Sequence, residues 1–297
     1  MVKVCIVGSG FLGTQIGALS AKSGYSVSMY DVYEDAFDAS KRSVKEYIEE
    51  WIETGAITQE QINELKQRIS YMVELPEAVR DADIVIEAVV EKLDVKRKVF
   101  KQLDELCDPS VILCSNSSSI KISYIEDATE HPERVLNMHF YGYPWRRSVL
   151  ELMKGTKTTD EAIEKARKYA ISIDVTPLKV LKESTGFIFN RVWRAIKKEC
   201  LTVADAGVAS FEDVDRAWMS LYKTEAGPFG LMDRVGLDVV RDIELVYYKE
   251  SGDPRDKPPK ILLDKIERGE LGLKTGKGFY AYPDPEYRKP GWLQGKK

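Results

Sequence analysis

The sequence predicts an α/β protein: a doubly wound domain over residues 1–183, followed by an all-α domain over residues 184–297. Short β-branched runs alternate with longer helical stretches through the first part, which implies a parallel sheet covered by helices. A glycine-rich turn follows the first of these runs at once, and after Gly186 the apolar residues change to helical spacing. At 297 residues the chain is long enough for two domains, each with its own core.

Taken in order, strands are expected at VKVCIV (2–7), SVSMYD (26–31), DIVIEAVV (83–90), SVILCS (110–115), RVLNMHF (134–140), SVLELM (148–153) and DVTPLKVL (174–181). A helix begins near Phe11, and helices of Lys/Glu character separate most of the later strands. Beyond Gly186, FIFNRVWRAIKKECLTVADAG and DVVRDIELVYYKE carry apolar residues at helical spacing, and only GFYAYP near the end reads as strand. The end of the chain, PDPEYRKPGW, reads equally well as an ordered or a frayed tail.

Composition excludes several classes of function. Lys plus Arg number 44 against 48 Asp plus Glu, a net charge of -4, so there is no basic excess to neutralise a nucleic-acid backbone. Cys5, Cys107, Cys114 and Cys200 show no CxxC spacing and only His131 and His139 supply imidazoles, so no structural metal is expected and a reducing cytoplasm fits best. No uncharged apolar stretch approaches the roughly 20 residues that span a bilayer, and the first strand begins at Val2, which leaves no room for a cleavable signal.

Gly8-Ser9-Gly10-Phe11-Leu12-Gly13 supplies a tight turn, a point where backbone meets a pyrophosphate, and a close helix–strand contact, with the following helix aiming its amides at the phosphates. Alone such a pattern is weak. Here it follows the opening strand, and Asp31 ends the second strand 18 residues after Gly13, where a ribose-binding carboxylate belongs. Asp31 repels a 2′-phosphate and no cation follows it in Val32-Tyr33-Glu34-Asp35, so NAD is favoured over NADP.

His139 closes an apolar strand, and Glu151 stands 12 residues later in the next one. A carboxylate on one ring nitrogen fixes the tautomer and raises the basicity of the other, which suits a base that takes a hydroxyl proton as hydride leaves the same carbon. On spacing alone, a core histidine satisfied by a backbone carbonyl is the simpler reading. His131, in ATEHPERV, reads as a surface-loop residue.

Gly8 to Gly13, Glu87-Ala88-Val89-Val90-Glu91, Ser115-Asn116-Ser117-Ser118-Ser119, Met138-His139-Phe140 with Glu151, Gly186-Phe187-Ile188-Phe189-Asn190-Arg191, Gly227-Pro228-Phe229 with Asp233 and Gly236-Leu237-Asp238, and Lys274-Thr275-Gly276-Lys277-Gly278-Phe279-Tyr280 occur in one order along nearly the whole chain. Together they resemble the L-3-hydroxyacyl-CoA dehydrogenase family. The resemblance implies a Rossmann-like N-terminal domain, a helical C-terminal domain that mediates homodimerisation, and an active site in the cleft between them. By matching position it makes His139 the catalytic base, Glu151 its orienting partner, and Ser118 and Asn190 the groups that hold the reacting oxygen. A hydroxyl and a carboxamide can each bond an alcohol or the ketone it becomes. Glu91, Lys96 and Lys274 resemble positions near the cofactor.

Two stretches depart from the family's pattern. The usual His-Phe-Phe-Asn-Pro is here His139-Phe140-Tyr141-Gly142-Tyr143-Pro144-Trp145-Arg146-Arg147, so a cofactor-side asparagine has become Gly142. In the helix after Asp31, where the family tends to present a serine and lysines to coenzyme A, Tyr47 and Thr54 stand amid Glu46, Glu49, Glu50 and Glu53. The leading expectation is reversible, NAD-dependent oxidation of the 3-hydroxyl of an L-3-hydroxyacyl-CoA with His139 as base. An alternative is the same chemistry on a free 3-hydroxy acid, as in L-gulonate or carnitine dehydrogenases, with Arg146 or Arg147 holding the carboxylate and, if the segment is extended, only one of the two facing the cleft. A non-catalytic, crystallin-like dinucleotide-binding protein is the third reading, and the intact His139, Glu151, Ser118 and Asn190 set argues against it.

Overall fold

The structure, a computed structural model, describes residues 2–296, and its contacts divide it between Ile188 and Phe189. In the first unit the β-branched runs form β1 (Lys3–Val7), β2 (Ser26–Tyr30), β3 (Ile69–Met72), β4 (Ile84–Glu87), β5 (Ile112–Ser115), β6 (Val135–Phe140), β7 (Val149–Lys154) and β8 (Thr176–Val180). They make one sheet in the order β3-β2-β1-β4-β5-β6-β7-β8. The helices of this unit are α1 (Phe11–Lys22), α2 (Ala36–Glu53), α3 (Gln59–Arg68), α4 (Leu75–Ala78), α5 (Leu93–Leu106) and α6 (Asp160–Ser172).

The two-residue period of β1 explains why helices cover both faces. Val4 and Ile6 point into a core with Ile16 and Leu19 of α1, Trp51 of α2 and Tyr169 of α6. Cys5 and Val7 point the other way, against Leu75 of α4 and Phe100 and Leu103 of α5. Each such large apolar side chain, taken fully out of water, contributes about 1.5–3 kcal/mol. The chain moves outward from β1 through β2 to β3, then resumes at β4 on the other side of β1, so the sheet has its switch point between β1 and β4.

Two features of the sheet differ from expectation. Strands β1 to β6 are parallel, but β7 runs antiparallel to β6, and β8 parallel to β7. The loop between β6 and β7 is too short for the helical crossover that a parallel pair needs, so the chain turns back on itself. Strand β3 was hidden because ISYM is a four-residue edge strand with no buried residue and follows a charged helix directly.

The second unit contains α7 (Phe189–Asp205), α8 (Phe211–Tyr222), α9 (Pro228–Val235), α10 (Leu237–Ser251) and α11 (Lys260–Glu267) around Leu201, Met219, Phe229, Met232, Leu237, Val240 and Leu262. GFYAYP is not a strand and makes only isolated bridges, because the Phe279 and Tyr280 N–H groups donate to the buried Asp233 carboxylate, both at 2.9 Å. The Pro-rich end is ordered: Tyr287 and Trp292 are buried in the same core. Phe187, Phe229 and Val240 are interior. The exposed apolar positions are others, among them Val208, Leu221 and Tyr222. Among the described residues no helix is long and apolar enough to cross a membrane.

Candidate active site

The carboxyl ends of β1, β4, β5 and β6 lie side by side, and most of the sequence-predicted residues of this unit emerge there. This is the edge at which open α/β sheets bind ligands. At the end of β1, Gly8 has φ +107°, and a Cβ there would stand 2.7 Å from the Ala88 carbonyl oxygen of the strand-end beside it. A Cβ on Gly13 would be 1.9 Å from the Gly8 carbonyl oxygen, so α1 packs against the turn as only glycine permits. A Cβ on Gly10 would meet nothing within 4 Å, leaving open space above the first turn of α1, where Phe11 is exposed and Leu12 half-buried. The Asp31 carboxylate accepts from the Ser9 N–H at 2.9 Å and the Ser9 hydroxyl at 3.0 Å, tying the end of β2 to the turn. These residues fit a dinucleotide: two closed backbone contacts, one open approach, and an acid at the ribose position.

Glu91, after β4, organises the serine loop after β5. Its carboxylate accepts from the Ser117 hydroxyl (2.6 Å), the Ser118 and Ser119 N–H groups (3.2 and 3.1 Å) and the Ser119 hydroxyl (2.7 Å). Those donors and Lys96 hold the Glu91 carboxyl below its ordinary value against the opposing effect of burial. Lys96 is 1% exposed and pairs with Glu87 at 2.7 Å and Glu91 at 3.2 Å, while Glu87 also accepts from the Ser115 hydroxyl at 2.8 Å. Glu91 and Lys96 therefore brace the loop that presents Ser118. The Ser118 residue itself is exposed.

The antiparallel pairing puts His139 directly opposite Glu151. His139 Nδ1 lies 2.9 Å from Glu151 Oε2, with the histidine 4% and the glutamate 0% exposed. Oε2 also accepts from the Tyr141 hydroxyl at 2.7 Å, and Oε1 from the Ile188 N–H at 2.8 Å. The Phe187 ring lies 5.0 Å from the imidazole, centroid to centroid. Of the two readings that spacing left open, the carboxylate-bonded histidine is the one found. Asn116, just past the end of β5, ties the site together, its side-chain amide oxygen accepting the Phe140 N–H at 2.8 Å. His131, expected in a surface loop, is half-buried there, its N–H donating to Asp104.

The loop after His139 folds down onto the first helices. Tyr143, at φ +57°, donates its N–H to Gln15 of α1 at 2.6 Å, and its ring meets Phe11 edge-on at 5.7 Å. Trp145 packs on Tyr47 and Trp51 of α2 and donates from Nε1 to Glu50 at 2.9 Å. The Arg146 guanidinium bonds Glu50 at 2.6 Å and lies over the Tyr143 ring. The Arg146 and Arg147 N–H groups both reach the Tyr143 carbonyl, so the segment is a turn, and the condition under which the two side chains would point opposite ways does not hold. Arg147 is exposed. A side chain at Gly142 would begin 3.4 Å from the Phe11 ring.

Residues 3–184 match the family described as 3-hydroxyacyl-CoA dehydrogenase, NAD binding domain, and residues 186–282 match its C-terminal domain. The chain belongs to the 3-hydroxyacyl-CoA dehydrogenase family. It is 31% identical over 281 residues to the 3-hydroxybutyryl-CoA dehydrogenase of Mycobacterium tuberculosis, covering 94% of this chain and 98% of that one. A probable 3-hydroxybutyryl-CoA dehydrogenase of Bacillus subtilis is 33% identical over 282 residues, covering 95% and 98%. The crystal structure of (S)-3-hydroxybutyryl-CoA dehydrogenase from Ralstonia eutropha superposes with a TM-score of 0.89 at 30% identity, covering 95% of this chain and 99% of that one.

As a member of this family the protein is an NAD-dependent oxidoreductase. The free-acid alternative is not favoured, because the relatives are named 3-hydroxybutyryl-CoA dehydrogenases and the Arg146 guanidinium is committed to Glu50. Tyr47, at a position where the family tends to face coenzyme A, is buried under Trp145. Asn190 and Lys274 belong to the second unit. Asn190 is second in α7 and half-buried, and the Lys274 ammonium bonds both Asp238 oxygens. Sequence reasoning missed Tyr141 and Asn116 as site residues. Tyr141 lies one residue past the end of β6, and carrying the strand's alternation on by that residue would have put it on the face of His139.

Proposed function

We propose that this enzyme interconverts a short-chain L-3-hydroxyacyl-CoA and its 3-keto form, with His139 as the base and Glu151 its orienting partner. The observation that carries this reading is the buried 2.9 Å contact between His139 Nδ1 and Glu151 Oε2, set by the β6–β7 register. With Glu151 accepting, the hydrogen sits on Nδ1 and Nε2 is left as the basic nitrogen. Nε2 takes the substrate's hydroxyl proton in oxidation and returns it to the ketone oxygen in reduction, while Glu151 offsets the imidazolium charge in between. Bound over Gly8, Gly10 and Gly13 with its ribose on Asp31, NAD supplies the hydride acceptor. Ser118, on the loop braced by Glu91 and Lys96, donates to the reacting oxygen, and Asn190 is assigned the same role by the family's pattern. The names of the relatives support the four-carbon acyl-CoA as substrate. A homodimer through the helical unit is supported by the exposed Val208, Leu221 and Tyr222, and a reducing, cytoplasmic setting by the four free thiols.

The test is NADH oxidation with acetoacetyl-CoA beside a panel of free β-keto acids. The expected result is turnover of the thioester, a fall in kcat of about a hundredfold or more for His139→Gln with NADH affinity retained, and a slower Glu151→Gln. Near-normal kcat in His139→Gln, with chemistry shown to limit the rate, would refute the assignment.

A further inference from the structure

The Glu151 oxygen that faces His139 is shared. Oε2 stands 2.9 Å from His139 Nδ1 and 2.7 Å from the Tyr141 hydroxyl, and the Tyr141 ring meets the imidazole edge-on at 4.7 Å between centroids. The imidazole is faced by Glu151 from β7, by Tyr141 beyond the end of its own strand and by the Phe187 ring. Leu178 of β8 lies beside Glu151 in register, and the neutral Asn116 amide holds the Phe140 N–H from just past the end of β5. The charged group among these is Glu151. Its other oxygen is held by the Ile188 N–H.

A phenol donating to a carboxylate oxygen withdraws part of the negative charge that the same oxygen offers an imidazolium. We propose that Tyr141 is a positioning residue that limits the basicity of His139 by sharing Glu151 Oε2, resting on the reading of His139 as base given above. Burial and the Glu151 carboxylate push the phenol's proton loss well above its ordinary range, so it remains a donor wherever the enzyme works. With the hydroxyl removed, Glu151 Oε2 offers more of its charge to the imidazolium, and His139 holds its proton to higher pH. In oxidation, which needs the neutral imidazole, the acid limb of the kcat/KM profile moves up. In reduction, which needs the imidazolium, the alkaline limb moves up as well. A side chain that merely filled space would lower rates in both directions and move neither limb.

The experiment compares wild type, Tyr141→Phe and His139→Gln in both directions across pH, with the imidazole C–H resonances followed by NMR. The protein has only two histidines, so His131→Gln assigns them. Tyr141→Phe is expected to raise both limbs and the NMR midpoint of His139 together, by roughly half to one pH unit. Site-specific 3-fluorotyrosine at position 141 keeps the shape and strengthens the donation, so it moves them to lower pH, and it carries the test if Tyr141→Phe folds poorly. Limbs and midpoint that stay in place while His139→Gln is inactive would overturn the role of Tyr141 and leave His139 as base. A His139→Gln enzyme as active as wild type would overturn both.

Discussion

Gly10→Ala and Gly13→Ala make the same chemical change three residues apart, and the structure assigns them different consequences for stability. Gly10 caps α1 with φ -70° and ψ -168°, a backbone that any residue adopts, and its added methyl meets nothing within 4 Å. The stabilisation from a stiffer unfolded chain, about 0.4–1 kcal/mol, is offset by the poorer capping of Ala, so net stability changes by less than about 1 kcal/mol. For a unit of this size that is a shift in Tm of roughly 2–4 °C at most. The methyl occupies the opening where backbone meets the pyrophosphate, so NADH affinity falls about tenfold or more. At Gly13 the methyl would lie 1.9 Å from the Gly8 carbonyl oxygen, a backbone atom that cannot rotate aside. Forcing α1 off β1 costs about 3 kcal/mol or more, of which helix propensity offsets at most about 1. The net loss of about 2 kcal/mol lowers Tm by roughly 4–8 °C and weakens NADH binding with it. Thermal melts and NADH titrations of the two variants separate the effects. A Gly13→Ala protein that melts and binds like wild type, or a Gly10→Ala protein with unchanged NADH affinity, would refute the packing described for this turn.

Asp31 favours NAD over NADP, and Asp31→Ala narrows the gap in kcat/KM mainly by weakening NAD; equal values for the two cofactors in the wild type would count against this role. Arg146→Ala is expected to change kcat/KM on acetoacetyl-CoA less than threefold, because its guanidinium is exposed and spent on Glu50, and a tenfold loss would show that it reaches the substrate after all. Lys277 and Lys265 hold the Glu270 carboxyl down at about 2, against an ordinary 4.5. That depressed value contributes stability above about pH 4.5 that is lost as pH falls toward 2. Glu270→Gln should therefore lower the stability slightly at pH 7, by about 1 kcal/mol or less, and the gap from wild type should close between pH 4.5 and 2.

The parallel strands other than β3, and the glycine turn, were legible because each rests on local pattern: β-branched runs of the right length, and glycines at the positions where a Cβ would strike Ala88 or Gly8. The His139–Glu151 pair was legible as a spacing, but whether the two side chains met depended on an antiparallel register that appears only once β6 and β7 are paired. Arg146 shows the limit most clearly. Its partner Glu50 is 96 residues away, on a helix whose acidic residues read only as a departure from the family's coenzyme A-facing pattern. GFYAYP was misread because its β-prone residues say nothing of the Asp233 carboxylate that takes two of its amides.

The reversal of β7 also bears on how such an enzyme can diverge. The base and its carboxylate are aligned by the backbone ladder of two central strands, whereas the loop joining those strands is held by interchangeable side-chain contacts to α1 and α2. Substitutions between Gly142 and Arg147 can therefore accumulate without displacing the proton-transfer pair, so the reaction is inherited unchanged while the loop drifts.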